Sequence, residues 1–256
     1  WQMQSPLISP ITNNKCLATL KRIIPIGSVV HSFLLYDGNI EVKLADSDRF
    51  VVAHTNKYVN YEFWQCLMAD PERLSVIADH FSPIESENIF DILQKEWLKY
   101  PDPFMRSGMY YLLNQSSDLN YITSGKLVQD TDLSRSIYDM KKFNCSNLHV
   151  QLDEEENFID SILKVEDKCD YMFLPIGSYS LNFLEQGQSI GFEQTRVVHK
   201  DIKNLLSSHD KKIVWLFKFS KSVVNYYKEY NTYIIDQWGR NTESTKFAKE
   251  ILIANF

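Results

Sequence analysis

Histidine, cysteine and serine are the residue types that most often hold a metal ion or act as nucleophiles, but their spacing here supports neither role. The 6 histidines contain no HExxH motif and no pair four residues apart, so we expect no metal site. Ser178 lies in Gly177-Ser178-Tyr179, which lacks the GxSxG pattern of a nucleophile elbow. The 4 cysteines form no CxxC pair, and we expect buried free thiols. They are Cys16, Cys66, Cys145 and Cys169.

The glycines and acidic residues do not form a phosphate-binding loop either. Gly27 and Gly38 stand alone, and neither GxGxxG nor GxxxxGK[ST] occurs. The acidic run over residues 153–156 precedes an apolar stretch. We interpret this run as the solvated start of a helix, because the helix dipole favours negative charge at that end.

The elements that must position any site follow from the hydrophobic pattern. Short β-rich runs and helical periods alternate at both ends of the chain, which predicts an α/β fold with a mainly parallel sheet and helices on both faces. Residues 116–146 are polar and irregular, so we expect a loop-rich segment there. Strands are predicted over 29–35, 50–54, 148–152, 171–175, 213–219, 233–235 and 250–256. Helices are predicted over 61–81 with a break at Pro71, 86–100, 103–115, 158–164, 200–207 and 221–230.

Composition and charge exclude some classes of protein. The chain has 256 residues, of which 44% are hydrophobic, so it has enough apolar material for a sizeable core. Its net charge of −6 excludes a uniformly basic nucleic-acid binder. The charge is uneven, because residues 200–256 hold 10 Lys and Arg against 6 Asp and Glu. Four lysines of this basic stretch are candidates for weak, salt-dependent phosphate contacts. They are Lys211, Lys212, Lys218 and Lys221.

The amino-terminal residues and the lengths of the apolar runs favour an intracellular protein. No apolar run approaches the ~18 residues that would span a bilayer, so we expect no membrane association. The chain begins Trp1-Gln2-Met3 and then becomes polar, without the basic and apolar regions of a signal peptide. We therefore expect a soluble, cytoplasmic protein.

The order of these elements and several short motifs resemble the Dam-type adenine-specific DNA methyltransferases. The closing residues 249–256 are similar to the family's EllItNy, and Leu174-Pro175-Ile176-Gly177 stands where the family has DPPY at a strand end. Other similar stretches are 6–15 (family PFLKWAGGK), 28–39 (YVEPFxGxGS), 52–56 (xxADIN), 102–114 (the FYxLNR helix) and 156–158 (a DF pair).

The resemblance implies a Rossmann-like methyltransferase fold, with a mainly parallel seven-stranded sheet and a helical insertion. Residues 1–58 and 147–256 would form the core, and residues 59–146 would form the insertion at the place of the target-recognition domain. Because the family belongs to bacteria and viruses, the resemblance also implies a bacterial or virus-infected host cell.

The implied catalytic motif has lost its functional groups. DPPY supplies acceptors for the exocyclic amine of a flipped adenine and an aromatic ring that stacks on the base. Leu174 takes the place of the aspartate and accepts no hydrogen bond, while Gly177 takes the place of the tyrosine and has no ring. Pro175 and Ile176 occupy the two positions between them, so we expect no catalytic residue in this motif.

The implied cofactor positions are altered as well. Tyr36 and Asp37 replace residues of the glycine-rich turn, which should fill the space for S-adenosylmethionine. His54 replaces the acid at the second strand end, and Asn157 replaces the acid of the DF pair. Lys15 is kept, whereas the two glycines before it have become asparagines. We expect no bound cofactor.

Three hypotheses about function remain at this point. The first is an inactive relative of adenine-specific DNA methyltransferases that binds a protein partner, itself or, weakly, nucleic acid. The second is a divergent but active enzyme that uses S-adenosylmethionine to methylate adenine in DNA. The third is an unrelated α/β enzyme.

Overall fold

One sheet of seven strands forms the centre of the molecule, in the order β3-β2-β1-β4-β7-β9-β8. The computed structural model describes residues 2–9, 15–165, 168–177, 182–183, 195–196, 198–208 and 210–256. The sheet strands are β1 Val29–Ser32, β2 Phe50–Thr55, β3 Leu148–Leu152, β4 Tyr171–Gly177, β7 Lys212–Lys218, β8 Asn231–Asp236 and β9 Ala248–Ala254. A separate antiparallel pair consists of β5 Asn182–Phe183 and β6 Thr195–Arg196.

The pairing is parallel except at one strand. β1 lies between β2 and β4, β2 pairs with β3, and β4 pairs with β7, all in parallel. β9 is antiparallel to both β7 and β8. The chain therefore has the α/β architecture that the alternation predicted, with a mostly parallel sheet. Counted along the chain, the first five strands of this sheet are β1, β2, β3, β4 and β7. They lie in the 3-2-1-4-5 order of a doubly wound sheet, in which the winding direction changes between β1 and β4.

Ten α-helices in the described part of the chain cover the sheet and its surroundings. They are α1 Leu17–Ile23, α2 Asn39–Ala45, α3 Tyr58–Ala69, α4 Pro71–Phe81, α5 Glu87–Glu96, α6 Pro103–Ser116, α7 Ser134–Lys141, α8 Phe158–Leu163, α9 His199–Ser208 and α10 Lys221–Tyr226. A 3-10 turn, Trp97–Lys99, follows α5. Five of the helices, α3 to α7, lie in the chain between β2 and β3.

Local sequence explains where these helices begin. Pro71 and Pro103 occupy first-turn positions, where a missing backbone N–H costs nothing. The side chains of Asp70 and Asp102 accept hydrogen bonds from the backbone N–H groups of Arg73 and of Phe104. The expectation of a loop-rich segment over 116–146 is wrong where α7 lies. This helix is amphipathic and packs against α4. Tertiary packing stabilises this eight-residue helix, since its own length is too short.

The two faces of the sheet bury two separate apolar clusters. Alternate residues of β4 point to opposite faces, so Phe173 joins the larger cluster under α1 to α7. Met172 and Leu174 join the smaller cluster under α8, α9 and α10. We call the second group the α8–α10 cluster. All four cysteines are free, and Cys145 is only partly buried, contrary to expectation.

Candidate functional site

The carboxyl ends of β1, β2, β3 and β4 meet at one edge of the sheet. Open α/β sheets bind ligands at this edge, beside the point where the winding direction changes. That point lies between β1 and β4 here. The chain places most of the predicted site residues at this edge.

Leu174 near the end of β4 is fully buried and belongs to the α8–α10 cluster. It lies in register with Trp215 of β7, which is also fully buried. Phe33, which follows β1, is a member of the same cluster, and Tyr36 packs against it. An apolar, solvent-free environment thus surrounds Leu174. Pro175, Ile176 and Gly177 continue the backbone of β4.

The turn after β1 is built without the glycines of a close-approach loop. Leu34 adopts a φ of 62°, which is uncommon for a branched side chain and marks a locally constrained turn. The Tyr36 hydroxyl donates a hydrogen bond to the Asn120 carbonyl at 3.3 Å, and the Ser5 hydroxyl donates one to the Asp37 carbonyl. Asp37 Oδ1 in turn accepts the backbone N–H of Asn39 at 3.2 Å. These contacts anchor the turn at both predicted cofactor positions, Tyr36 and Asp37.

Gly38 is the position in this turn where glycine is required. Its φ is 66°, and a Cβ atom added there would lie 2.4 Å from Cζ2 of Trp64. The buried indole of α3 therefore occupies the space above Gly38. The glycine serves close packing against an aromatic ring of the same chain.

His54, close to the end of β2, takes part in a row of buried polar side chains. Its Nδ1 lies 3.0 Å from Oδ1 of Asp153, and its Nε2 lies 2.8 Å from Nδ1 of His31. Nε2 of His31 is 3.2 Å from the carbonyl oxygen of Lys168. The Phe33 ring stacks on His54, with the ring centres 4.3 Å apart. Both nitrogens of His54 are thus engaged within the protein.

The row of contacts links the carboxylate of Asp153, the two imidazole rings and the Lys168 carbonyl, and both ends of the row are hydrogen-bond acceptors. A neutral imidazole has one N–H donor and one acceptor nitrogen, so the tautomer of each ring decides which of its nitrogens donates. The two rings therefore connect the ends of β3 and β4 through β1 and β2.

Two hollows border this row. The first, towards the turn after β1, has a volume of about 10 Å³, which is room for about one water molecule. It is lined by Phe33, Leu34, His54, Asn56, Asp153 and Phe158, among others. The second is a polar groove of about 270 Å³ between His31, Gln151 and α8. An ion pair of Glu155 with Lys164 lies at this groove.

Asn157 and Lys15 have local structural contacts of their own. Asn157 caps α8, because its Oδ1 accepts the backbone N–H of Ile159 at 2.9 Å. The backbone N–H of Lys15 donates to Oε1 of Glu250 at 3.3 Å, on β9. The asparagines at 13 and 14, which belong to the same motif as Lys15, lie outside the described residues.

The four lysines predicted to contact phosphates divide between two edges of the sheet. Lys211 and Lys212 lie at the amino end of β7, whereas Lys218 ends this strand and Lys221 begins α10. Six residue steps along an extended strand are about 20 Å. The structure therefore brings Lys218 and Lys221 to the carboxyl edge and separates Lys211 and Lys212 from them.

Sequence reasoning missed two buried carboxylates beside the ends of β1 and β3. Asp153 was part of an acidic run interpreted as a solvated helix start, but its side chain is 8% exposed and contacts His54. Glu41 is buried in α2 and accepts a hydrogen bond from the Ser32 hydroxyl at 2.7 Å. Burial raises the pKa of Glu41 to about 7, against the opposing effect of the Ser32 hydrogen bond. A signal existed for Glu41, a single carboxylate among the apolar residues of a short helix.

The thiols show no sign of a nucleophile. Burial raises the pKa of Cys145 and of Cys169 to about 11, so both are protonated at neutral pH. Among the described histidines, cysteines and acidic residues, no group of three could hold a metal ion.

No protein-family model matches this chain, and none of the curated proteins compared with it matches either. Within the described residues, no helix combines the length and apolar character needed to cross a membrane.

Proposed function

We propose that this chain is a non-catalytic relative of the Dam-type adenine-specific DNA methyltransferases and serves as a binding or structural subunit. The mostly parallel seven-stranded sheet is compatible with the Rossmann-like methyltransferase fold that the resemblance implies. The observation that carries the proposal is the burial of Leu174. A fully buried leucine stands where the resemblance places the aspartate of DPPY.

The chemistry of adenine methylation explains why this leucine matters. The exocyclic amine of a flipped adenine needs hydrogen-bond acceptors and a stacking ring to be held for transfer. Leu174 provides no acceptor, and the α8–α10 cluster around it excludes the water and the base that an open site would admit. These features support a structural role for Leu174 at the end of β4.

The residues at the implied cofactor place do not fit S-adenosylmethionine. A strand-end carboxylate normally binds the ribose hydroxyls of such a nucleotide, and His54 stands there with both ring nitrogens engaged. Of the two hollows that border its ring, one has a volume of about 10 Å³ and the other, a polar groove, has about 270 Å³, below the ~300–1,000 Å³ of common ligand pockets. These two facts favour a subunit that works without the cofactor. The binding role would be towards a protein partner, a second copy or nucleic acid, in the cytoplasm of a bacterium or a virus-infected cell, where the resembled family acts.

Two measurements test the proposal. Isothermal titration calorimetry with S-adenosylmethionine up to ~1 mM, the top of the common range for metabolites, should show no saturable binding. Incubation with tritiated S-adenosylmethionine and AT-rich duplex DNA should transfer no label, while an active adenine methyltransferase in parallel does. Saturable micromolar binding or label on the DNA would overturn the proposal in favour of the active enzyme.

A further inference from the structure

The turn between β8 and β9 carries two exposed aromatic rings, each beside a cation. Trp238 is 56% exposed and Phe247 is 43% exposed, and their ring centres lie 5.1 Å apart in an edge-to-face arrangement. The Arg240 guanidinium lies 4.8 Å from the Trp238 ring, and the Lys246 amino group lies 5.2 Å from the Phe247 ring. We call these four residues the hairpin tip. Trp64, Trp97 and Trp215, by contrast, are buried.

The backbone and an acidic anchor hold the hairpin tip in place. Asp236, at the end of β8, is buried and accepts hydrogen bonds from the backbone N–H of Trp238 and from Nε of Arg240. Gly239 has a φ of 80°, and a Cβ atom there would lie 3.2 Å from the Lys15 carbonyl oxygen. The backbone that carries the exposed rings is therefore held by the turn, which reduces the entropy that a ligand would have to remove.

Further cations lie next to the hairpin tip. Lys218 of β7 is in register with Glu250 of β9, and the Lys249 carbonyl accepts the backbone N–H of Phe219. Lys218, Lys221, Lys246 and Lys249 form no ion pair within the described part of the chain. The acids on this side are largely engaged: Asp236 holds the turn and Glu250 accepts the backbone N–H of Cys16. Glu243 is the one exposed acid between β8 and β9.

We propose that the hairpin tip binds an unpaired nucleic-acid strand, with bases stacked on Trp238 and Phe247 and phosphates held by the neighbouring cations. Exposed rings combined with Lys and Arg are the means by which proteins bind single strands without reading sequence. Exposed rings can stack on bases only where the bases are unpaired, because the bases of a duplex already stack on one another. The proposal deepens the binding role proposed above by naming its ligand.

Fluorescence anisotropy with a labelled oligothymidylate of about 12 nucleotides tests this, since single-strand sites span ~4–16 nucleotides. Trp238→Ala and Phe247→Ala should each weaken binding by about 5- to 150-fold, the effect of losing one stacked base. Trp238→Phe should retain most of the affinity, because it keeps a ring. Tyr138→Ala is the matched control, because Tyr138 of α7 is 57% exposed and has the Lys142 amino group 3.8 Å from its ring. It should bind like the unaltered chain.

The charges are tested by salt dependence. Lys246→Gln with Lys249→Gln should reduce the slope of log K against log salt by ~1.4, as ~0.7 per phosphate contact on a single strand predicts. Arg240 stays unchanged in this variant because its Nε is bonded to Asp236 in the anchor of the turn. Equal binding by the Trp238→Ala, Phe247→Ala and Tyr138→Ala variants would overturn the proposal. Binding of a duplex as tight as binding of the single strand would overturn it too, as would binding to anionic vesicles without binding to the oligonucleotide. A salt slope that changes only in the Lys211→Gln, Lys212→Gln double variant would also overturn it. Methyl transfer would overturn the non-catalytic role instead, so the two failures are distinguishable.

Discussion

Nδ1 of His54 lies 3.0 Å from Oδ1 of Asp153, although 99 positions separate the two residues in the chain. Their strands, β2 and β3, are parallel neighbours, with His54 in register with Gln151. The backbone N–H of Asp153 donates to the Thr55 carbonyl at 2.9 Å, which extends the pairing by one residue. The carboxylate therefore reaches the imidazole from the adjacent strand end.

Asp153→Asn should lower the free energy of unfolding by about 1–3 kcal/mol, because it removes the charge from a buried hydrogen bond to His54. Glu154→Gln is the control, since Glu154 is the exposed neighbour in the same loop. Urea denaturation at neutral pH measures both. If the two variants are equally stable, the carboxylate does not stabilise the row of His31 and His54.

Leu174→Asp should destabilise the fold by roughly 1–3 kcal/mol or more and should produce no methyl transfer. The new carboxyl would lie among apolar side chains without a partner, and its pKa would be raised. Leu163→Asp gives the comparison, because Leu163 of α8 is 62% exposed and should tolerate the change. Thermal melts with a transfer assay in parallel separate the outcomes. An unchanged melting temperature for Leu174→Asp would mean an open, solvated pocket.

Glu41 should make the protein less stable as pH rises through neutrality. Burial raises its pKa from the ordinary 4.5 to about 7 in the folded chain, so the folded state binds the proton more tightly. Stability from the protonated carboxyl is present below about pH 4.5 and is lost as pH rises through about 7, up to ~3 kcal/mol in total. Glu41→Gln should remove this slope in urea melts at pH 5 to 8. Glu85→Gln, at an exposed position, should keep the slope; identical slopes in both variants would refute the assignment.

Gly38→Ala should lower the free energy of unfolding more than Gly27→Ala does, although both glycines have positive φ angles, 66° at Gly38 and 82° at Gly27. Alanine at either position is destabilised by about 1–2 kcal/mol in the left-handed backbone conformation. At Gly38 the added methyl would also overlap the Trp64 ring, which adds about 1–3 kcal/mol of overpacking, whereas nothing lies within 4 Å at Gly27. Chemical denaturation of the two variants gives the difference. Equal costs would show that Trp64 moves aside freely.

Much of the architecture was predictable from local pattern. The alternation of strands and helices predicted a mainly parallel sheet, and the structure confirms it with one reversed strand, β9. Pro71 and Pro103 predicted helix starts that the structure confirms. The prediction of a loop-rich segment failed for α7. This helix is stabilised by the burial of its apolar residues Ile137 and Met140 against helices that are distant in the sequence. The resemblance to methyltransferases stays a prediction.

The sequence by itself determined what each side chain can do chemically: a leucine accepts no hydrogen bond and a glycine has no ring, in any fold. Only the tertiary structure decided what the remaining polar groups do. Asp153 meets His54 because neighbouring parallel strands end at one edge, and Lys211 separates from Lys218 because an extended strand is long. Trp238 and Phe247 come together because a hairpin returns the chain. Side-chain types are local properties, whereas proximity between distant residues depends on strand order and register, which no short stretch of sequence encodes.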